Sequence, residues 1–92
     1  MDNTLQQIVL DWIPSQSKVI DFGCGDGILL KILSEQKSIT GYGVENDPDK
    51  INACIINGVS VIQQDIDAGI HNYKGMGFDV AVMASSIQCL MK

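Results

Sequence analysis

Residues 18–27 read KVIDFGCGDG, an apolar run that ends directly in alternating glycines, and this restricts the possible folds more than any other feature of the chain. Lys18-Val19-Ile20-Asp21-Phe22 has the length and apolar character of a buried strand. Gly23, Gly25 and Gly27 follow at every second position, and the apolar face of a helix, Leu29, Ile32 and Leu33, begins at once behind them. The spacing predicts that helix over residues 26–36. A strand that turns through glycines into a helix opens a βαβ unit, so a parallel sheet is the first expectation.

The rest of the chain continues that alternation. Leu5, Ile8, Val9 and Trp12 recur at helical spacing until Ile13-Pro14-Ser15 stops them. Gly41 to Glu45 reads as a second strand. Asp47-Pro48 then starts a helix, because Asp can accept from the free N–H groups and Pro fits the first helical position. Ile51, Cys54 and Ile55 are its expected buried face, and Gly58 its left-handed exit. Val59–Gln63 and Phe78–Met83 read as third and fourth strands, joined by a crossover that holds His71, Tyr73 and Lys74. After Ala84 the stripe Ile87, Leu90 and Met91 predicts one more helix. The whole, residues 1–92, is expected to be a single α/β domain: a Rossmann-like parallel sheet in the strand order 3-2-1-4 with helices on both faces.

Composition narrows the function classes. The chain is 46% apolar, enough for a folded core. A net charge of −5 with six basic residues is the wrong balance for nonspecific nucleic-acid binding, which needs a basic surface. Cys24, Cys54 and Cys89 are odd in number and lack C-x-x-C spacing, so neither a disulfide framework nor a zinc site follows. The N-terminus MDNTLQQIVLDW has neither a basic leader nor a long apolar run, so no signal peptide or membrane anchor is expected and the setting is read as cytoplasmic.

The glycine loop carries the chemistry. Counted from Gly23, a dinucleotide fingerprint G-x-G-x-x-G would need glycine at position 28, which is Ile28; the third glycine is Gly27. G-x-G-x-G after an acidic residue, here Asp21, is the pattern of S-adenosylmethionine-dependent methyltransferases. The difference is physical: a pyrophosphate wants a helix N-terminus, whereas a methionine tail brings an ammonium that a carboxylate can meet. A glycine turn at a strand end is often structural only, and a single loop acid is usually just solvated. Glu45, however, closes the second strand, where a carboxylate can accept from ribose hydroxyls. Asp65 lies just past the third strand, in reach of an adenine amine, with Asn46 and Ile66 placed to flank the ring. Three acids at three successive strand ends are far less expected by chance. His71, Tyr73, Lys74 and Met76 have no catalytic partners at useful spacing and read as packing or surface residues. Ala84-Ser85-Ser86-Ile87 is not the Asn/Asp-Pro-Pro-aromatic motif that holds a planar amine.

The run DWIPSQSKVIDFGCGDGILLKIL, with GYGVENDPD, GVSVIQQDIDAGI and FDVAVMASSIQ, closely resembles the methionine biosynthesis protein MetW family over roughly residues 8–91. The resemblance implies a class I methyltransferase-like fold, S-adenosylmethionine as cofactor, and a role in methionine biosynthesis beside homoserine O-acetyltransferase. It implies the glycine loop at Asp21, Gly23, Cys24, Gly25 and Gly27, the ribose acid at Glu45 and the adenine acid at Asp65; no methyl acceptor and no catalytic residue carry over. Asn46 stands where that family has an apolar residue, and Ala84-Ser85-Ser86 where it has Ser-Gln-Thr. Members of the family are much longer, so the resemblance also implies that the C-terminal half of the fold is missing here.

Three functions are compatible with these readings. One is a subunit that binds S-adenosylmethionine and assists the acetyl-transfer step, the preferred reading. The others are a methyltransferase acting on an unidentified small acceptor, and a truncated fragment without activity. With no fifth strand expected, the fourth would be an edge, apolar on both faces and without Lys or Pro, and self-association through it is expected.

Overall fold

A computed structural model describes residues 3–65, 67, 68, 73, 75–83 and 88–91. Ile66, His71, Lys74 and residues 84–87 lie outside the described residues. The elements run α1 (Asn3–Trp12), β1 (Lys18–Phe22), α2 (Ile28–Lys37), β2 (Thr40–Glu45), α3 (Pro48–Ile56), β3 (Ser60–Gln63), β4 (Val80–Met83) and β5 (Gln88–Met91). They form one sheet in the order β3-β2-β1-β4-β5. The first four strands are mutually parallel, the expected 3-2-1-4 arrangement.

The register fixes the two faces. Val19 and Asp21 of β1 pair with Gly41 and Gly43 of β2 and with Val80 and Val82 of β4, so these residues share one side. All three helices pack on it: Val9 and Leu10 of α1, Leu29, Leu30 and Leu33 of α2, and Cys54 of α3 join Val19, Val80 and Val82 in one core cluster. Ile20, Phe22, Val44 and Ala81 face the other way and are covered by Phe78 and Tyr73 of the segment that joins β3 to β4. The described helices thus cover one face only, and the other is closed by that joining segment rather than by the helices expected on both faces.

Local chemistry explains most boundaries. Asp47 accepts from the Asp49 N–H at 2.9 Å and Pro48 takes the first helical position, which starts α3. Gly58 has φ +74° and donates to the Ile55 carbonyl at 3.0 Å, closing that helix. Helix α2 begins at Ile28 rather than at residue 26, because Gly25 and Gly27 are held at φ +60° and +81°, outside the helical region. Asp79 joins the start of β4 to β1: its Oδ2 accepts from the Lys18 N–H at 2.8 Å and its own N–H donates to the Lys18 carbonyl at 2.7 Å.

Four further expectations are corrected. The stripe of α1 is rotated: Val9, Leu10 and Ile13 are buried while Ile8 and Trp12 are exposed. In α3 Cys54 is buried but Ile55 is 62% exposed. After Met83 the predicted helix is instead β5, antiparallel to β4 with Ala81 opposite Leu90. Only four residues separate the two strands, too few for a crossover to a parallel neighbour, which accounts for the antiparallel pairing. Strand β4 is therefore an inner strand of this sheet and not the exposed edge expected of it.

Candidate functional site

Because β1, β2 and β3 are parallel, their carboxyl ends meet at one edge of the sheet. Asp21 lies one residue before the end of β1, and Glu45 is the last residue of β2. Both stand on the helix-covered face, since Asp21 pairs with Gly43 and Glu45 follows Gly43 by two. Residues 23–27 arch over them.

The loop is held from beneath. Gly23 and Cys24 donate their backbone N–H groups to the Val44 carbonyl at 2.8 and 3.3 Å, and Gly27 donates to the Cys24 carbonyl at 3.1 Å. The Cys24 side chain turns down into the space that Gly43 leaves open: a Cβ at Gly43 would lie 2.9 Å from the Cys24 Cβ and would overlap its Sγ. Cys24 Sγ is 3.5 Å from Cys54 Sγ, and Cys54 donates to the Gly25 carbonyl at 3.0 Å. Burial, first of all, pushes both thiols up from their ordinary range, so they remain protonated. Cys24 could therefore serve a ligand through its backbone only. The crest of the loop is open, since nothing lies within 4 Å of where a Cβ on Gly25 would be.

The two acids differ sharply. Glu45 is buried and largely satisfied: Oε1 accepts from the Gly25 N–H at 3.0 Å, and Oε2 from the Asn46 and Asp47 N–H groups at 3.1 and 3.2 Å. A carboxylate offers about four acceptor sites, so one remains, and taking two hydroxyls would release one backbone donor. Its role in tying down the loop was not legible in the sequence. Asp21 is 1% exposed, and neither of its oxygens has a hydrogen-bond partner among the described residues. Burial, reinforced by the Glu45 charge, raises it from 3.8 to about 7.

The remaining candidates lie further out. Asn46 is exposed beside Glu45. Asp65 is exposed beyond the end of β3, its Oδ1 3.4 Å from the Asp67 N–H. Ile66 is outside the described residues. Gly27 packs under the α3–β3 turn, where a Cβ would come within 3.0 Å of Val59. No group of three His, Cys, Asp or Glu among the described residues could hold a metal ion, and none of the described helices is long and apolar enough to cross a membrane. A cavity of about 430 Å³ between α2, the start of β2 and the α3–β3 turn includes none of the candidate residues.

Comparison with known proteins bears on the family and the fold. Residues 4–92 match the family described as methionine biosynthesis protein MetW. The bifunctional methionine biosynthesis protein MetXA/MetW of Rhodopirellula baltica is 27% identical over 96 residues, covering 96% of this chain and 15% of that protein. Among solved structures, a TehB-like SAM-dependent methyltransferase from Corynebacterium glutamicum superposes with a TM-score of 0.70 at 21% identity, covering 86% of this chain and 42% of that one. A SAM-dependent methyltransferase from Geobacter sulfurreducens, in complex with S-adenosyl-L-homocysteine, gives 0.73 at 18% identity, covering 95% and 38%. At such identities the superpositions establish a shared fold. The chain spans less than half the length of each of these proteins.

Proposed function

The chain belongs to the MetW family of methionine biosynthesis proteins, and from that premise we propose that it binds S-adenosylmethionine at the carboxyl edge of β1 and β2 and acts beside homoserine O-acetyltransferase. The observation that carries the cofactor reading is Asp21, a buried carboxyl with two unpartnered oxygens beneath an open glycine loop. A buried polar group without a partner is costly, and an ammonium group arriving from the loop side would satisfy it. In this reading Asp21 meets the methionine ammonium, and the backbone of Gly23, Cys24, Gly25 and Gly27 forms the cradle. Glu45 accepts from the ribose, Asn46 and Ile66 flank the adenine, and Asp65 accepts from its amine. When bound, the cofactor's sulfonium supplies an electrophilic methyl group. The residues of this chain bind and orient it; none of them is assigned a part in bond making.

The partner reading rests on the Rhodopirellula baltica protein, whose name joins MetXA and MetW in one bifunctional chain. Titration calorimetry with S-adenosylmethionine tests the first part. Saturable binding is expected, and Glu45→Ala should weaken it about 10- to 150-fold, the loss of roughly 1.5–3 kcal/mol of charge-assisted hydrogen bonding. Unchanged affinity in the variant would place the ribose elsewhere. Co-elution with homoserine O-acetyltransferase from a sizing column tests the second part.

A further inference from the structure

Asp21 is buried with two oxygens that no group among the described residues meets. Its neighbour in β2 is Gly43 and its neighbour in β4 is Val82, neither of which can donate from a side chain. Among the described residues, the titratable groups that act on it are Glu45 from β2, Cys24 from the loop and Cys54 from α3. Glu45 is an acid already satisfied by three backbone donors, and the two thiols are neutral. Among the described residues no cation compensates a carboxylate at this position, and an unpaired buried charge is among the most expensive arrangements a protein can hold.

We propose that ligand binding at this edge is coupled to the loss of one proton from Asp21, which is a neutral carboxylic acid in the ligand-free protein and becomes a carboxylate when the ligand's ammonium group arrives. This deepens the cofactor reading above and rests on it. The step balances simply: the Asp21 O–H bond breaks, the proton passes to the buffer, and the ligand's ammonium keeps its three hydrogens and pairs with the new carboxylate. The raised titration of Asp21, to about 7, places the exchange in the neutral range.

The sign follows from linkage. Below that value the ligand must displace a proton, so affinity falls as pH falls; above it Asp21 is already ionised and affinity levels off. Between about pH 6 and pH 8 affinity for S-adenosylhomocysteine should therefore rise about tenfold. S-adenosylhomocysteine is the suitable probe because it carries the amino-acid tail without the sulfonium charge. Methylthioadenosine, which has the adenosine but no tail, is the control.

Calorimetry at about pH 6.5 in buffers of low and high ionisation enthalpy reads the proton directly. Release of most of one proton is expected with S-adenosylhomocysteine, almost none with methylthioadenosine, and none for S-adenosylhomocysteine with Asp21→Asn. Binding of S-adenosylhomocysteine without proton release would overturn the linkage and leave the cofactor reading standing. Failure of both nucleosides to bind would overturn both. A carbon-13 carboxyl titration of the ligand-free protein gives a check that needs no binding: a midpoint for Asp21 near the ordinary value of about 4 would also overturn the proposal.

Discussion

Asp21 shows how a single residue can set a property of the whole chain. Its carboxyl titrates at about 7 in the fold against 3.8 in an open chain, so the native state holds the proton more tightly than the unfolded state does. A group raised in this way contributes stability that is complete below its unfolded value and is lost as pH rises through its folded value. The native state should therefore weaken between about pH 4 and pH 8, and Asp21→Asn, which cannot ionise, should not share that loss. Each tenfold difference in proton affinity between the two states is worth about 1.4 kcal/mol, so the wild type should lose about 2–4 kcal/mol relative to the variant across this window. Urea unfolding of both proteins at several pH values measures it, and parallel profiles would show that the Asp21 charge is compensated in the native state.

At the scale of elements, the approach of the glycine loop to β2 is governed by a missing side chain. Gly43 has no Cβ, and Cys24 occupies the space where one would be. Gly43→Ala would force these two residues apart and lift the loop that Glu45 and Val44 hold down. Overpacking of this kind costs about 1–3 kcal/mol. The cause can be isolated by a second change. Cys24→Ala in the Gly43→Ala background removes the Sγ overlap but keeps the two Cβ atoms 2.9 Å apart, so it should recover part of the loss, visible as a partial return of the thermal midpoint. If Cys24→Ala merely adds its own destabilisation, the contact is not what limits this position.

For the whole molecule the question is where the sheet ends. Self-association through β4 was the sequence expectation, but β5 pairs with it, so among the described strands the outer positions belong to β5 and β3. Strand β3 carries little that would discourage association. Its residues Ser60–Gln63 contain no Lys or Pro, Ile62 is exposed, and the preceding helix adds Ile55 and Ile56, the latter 84% exposed. An open edge with apolar neighbours recruits strands from other copies, and lysine on an edge discourages this. Sedimentation velocity at concentrations on the order of tens of micromolar should show association that Ile62→Lys reduces. Monomeric behaviour of both proteins would mean that the β3 edge is protected.

Much of this protein was set by the sequence itself. Strand–glycine–helix order, the cap at Asp47-Pro48 and the left-handed Gly58 are local matters of backbone geometry, decided within a few residues and therefore readable in a linear string. The parallel order 3-2-1-4 follows from that alternation and the handedness of crossovers. The line of acids at successive strand ends was legible for the same reason. Only the tertiary structure decided what those acids do. Element order places Asp21 and Glu45 at successive strand ends, but it cannot say that they share a face, or that Glu45 is met by three backbone donors while Asp21 has none among the described residues. Nor can it say which side of α1 is covered, or that residues 88–91 pair with β4 instead of coiling. Those outcomes depend on partners far away in the chain, and hydrogen-bond satisfaction and burial are settled only when the partners meet.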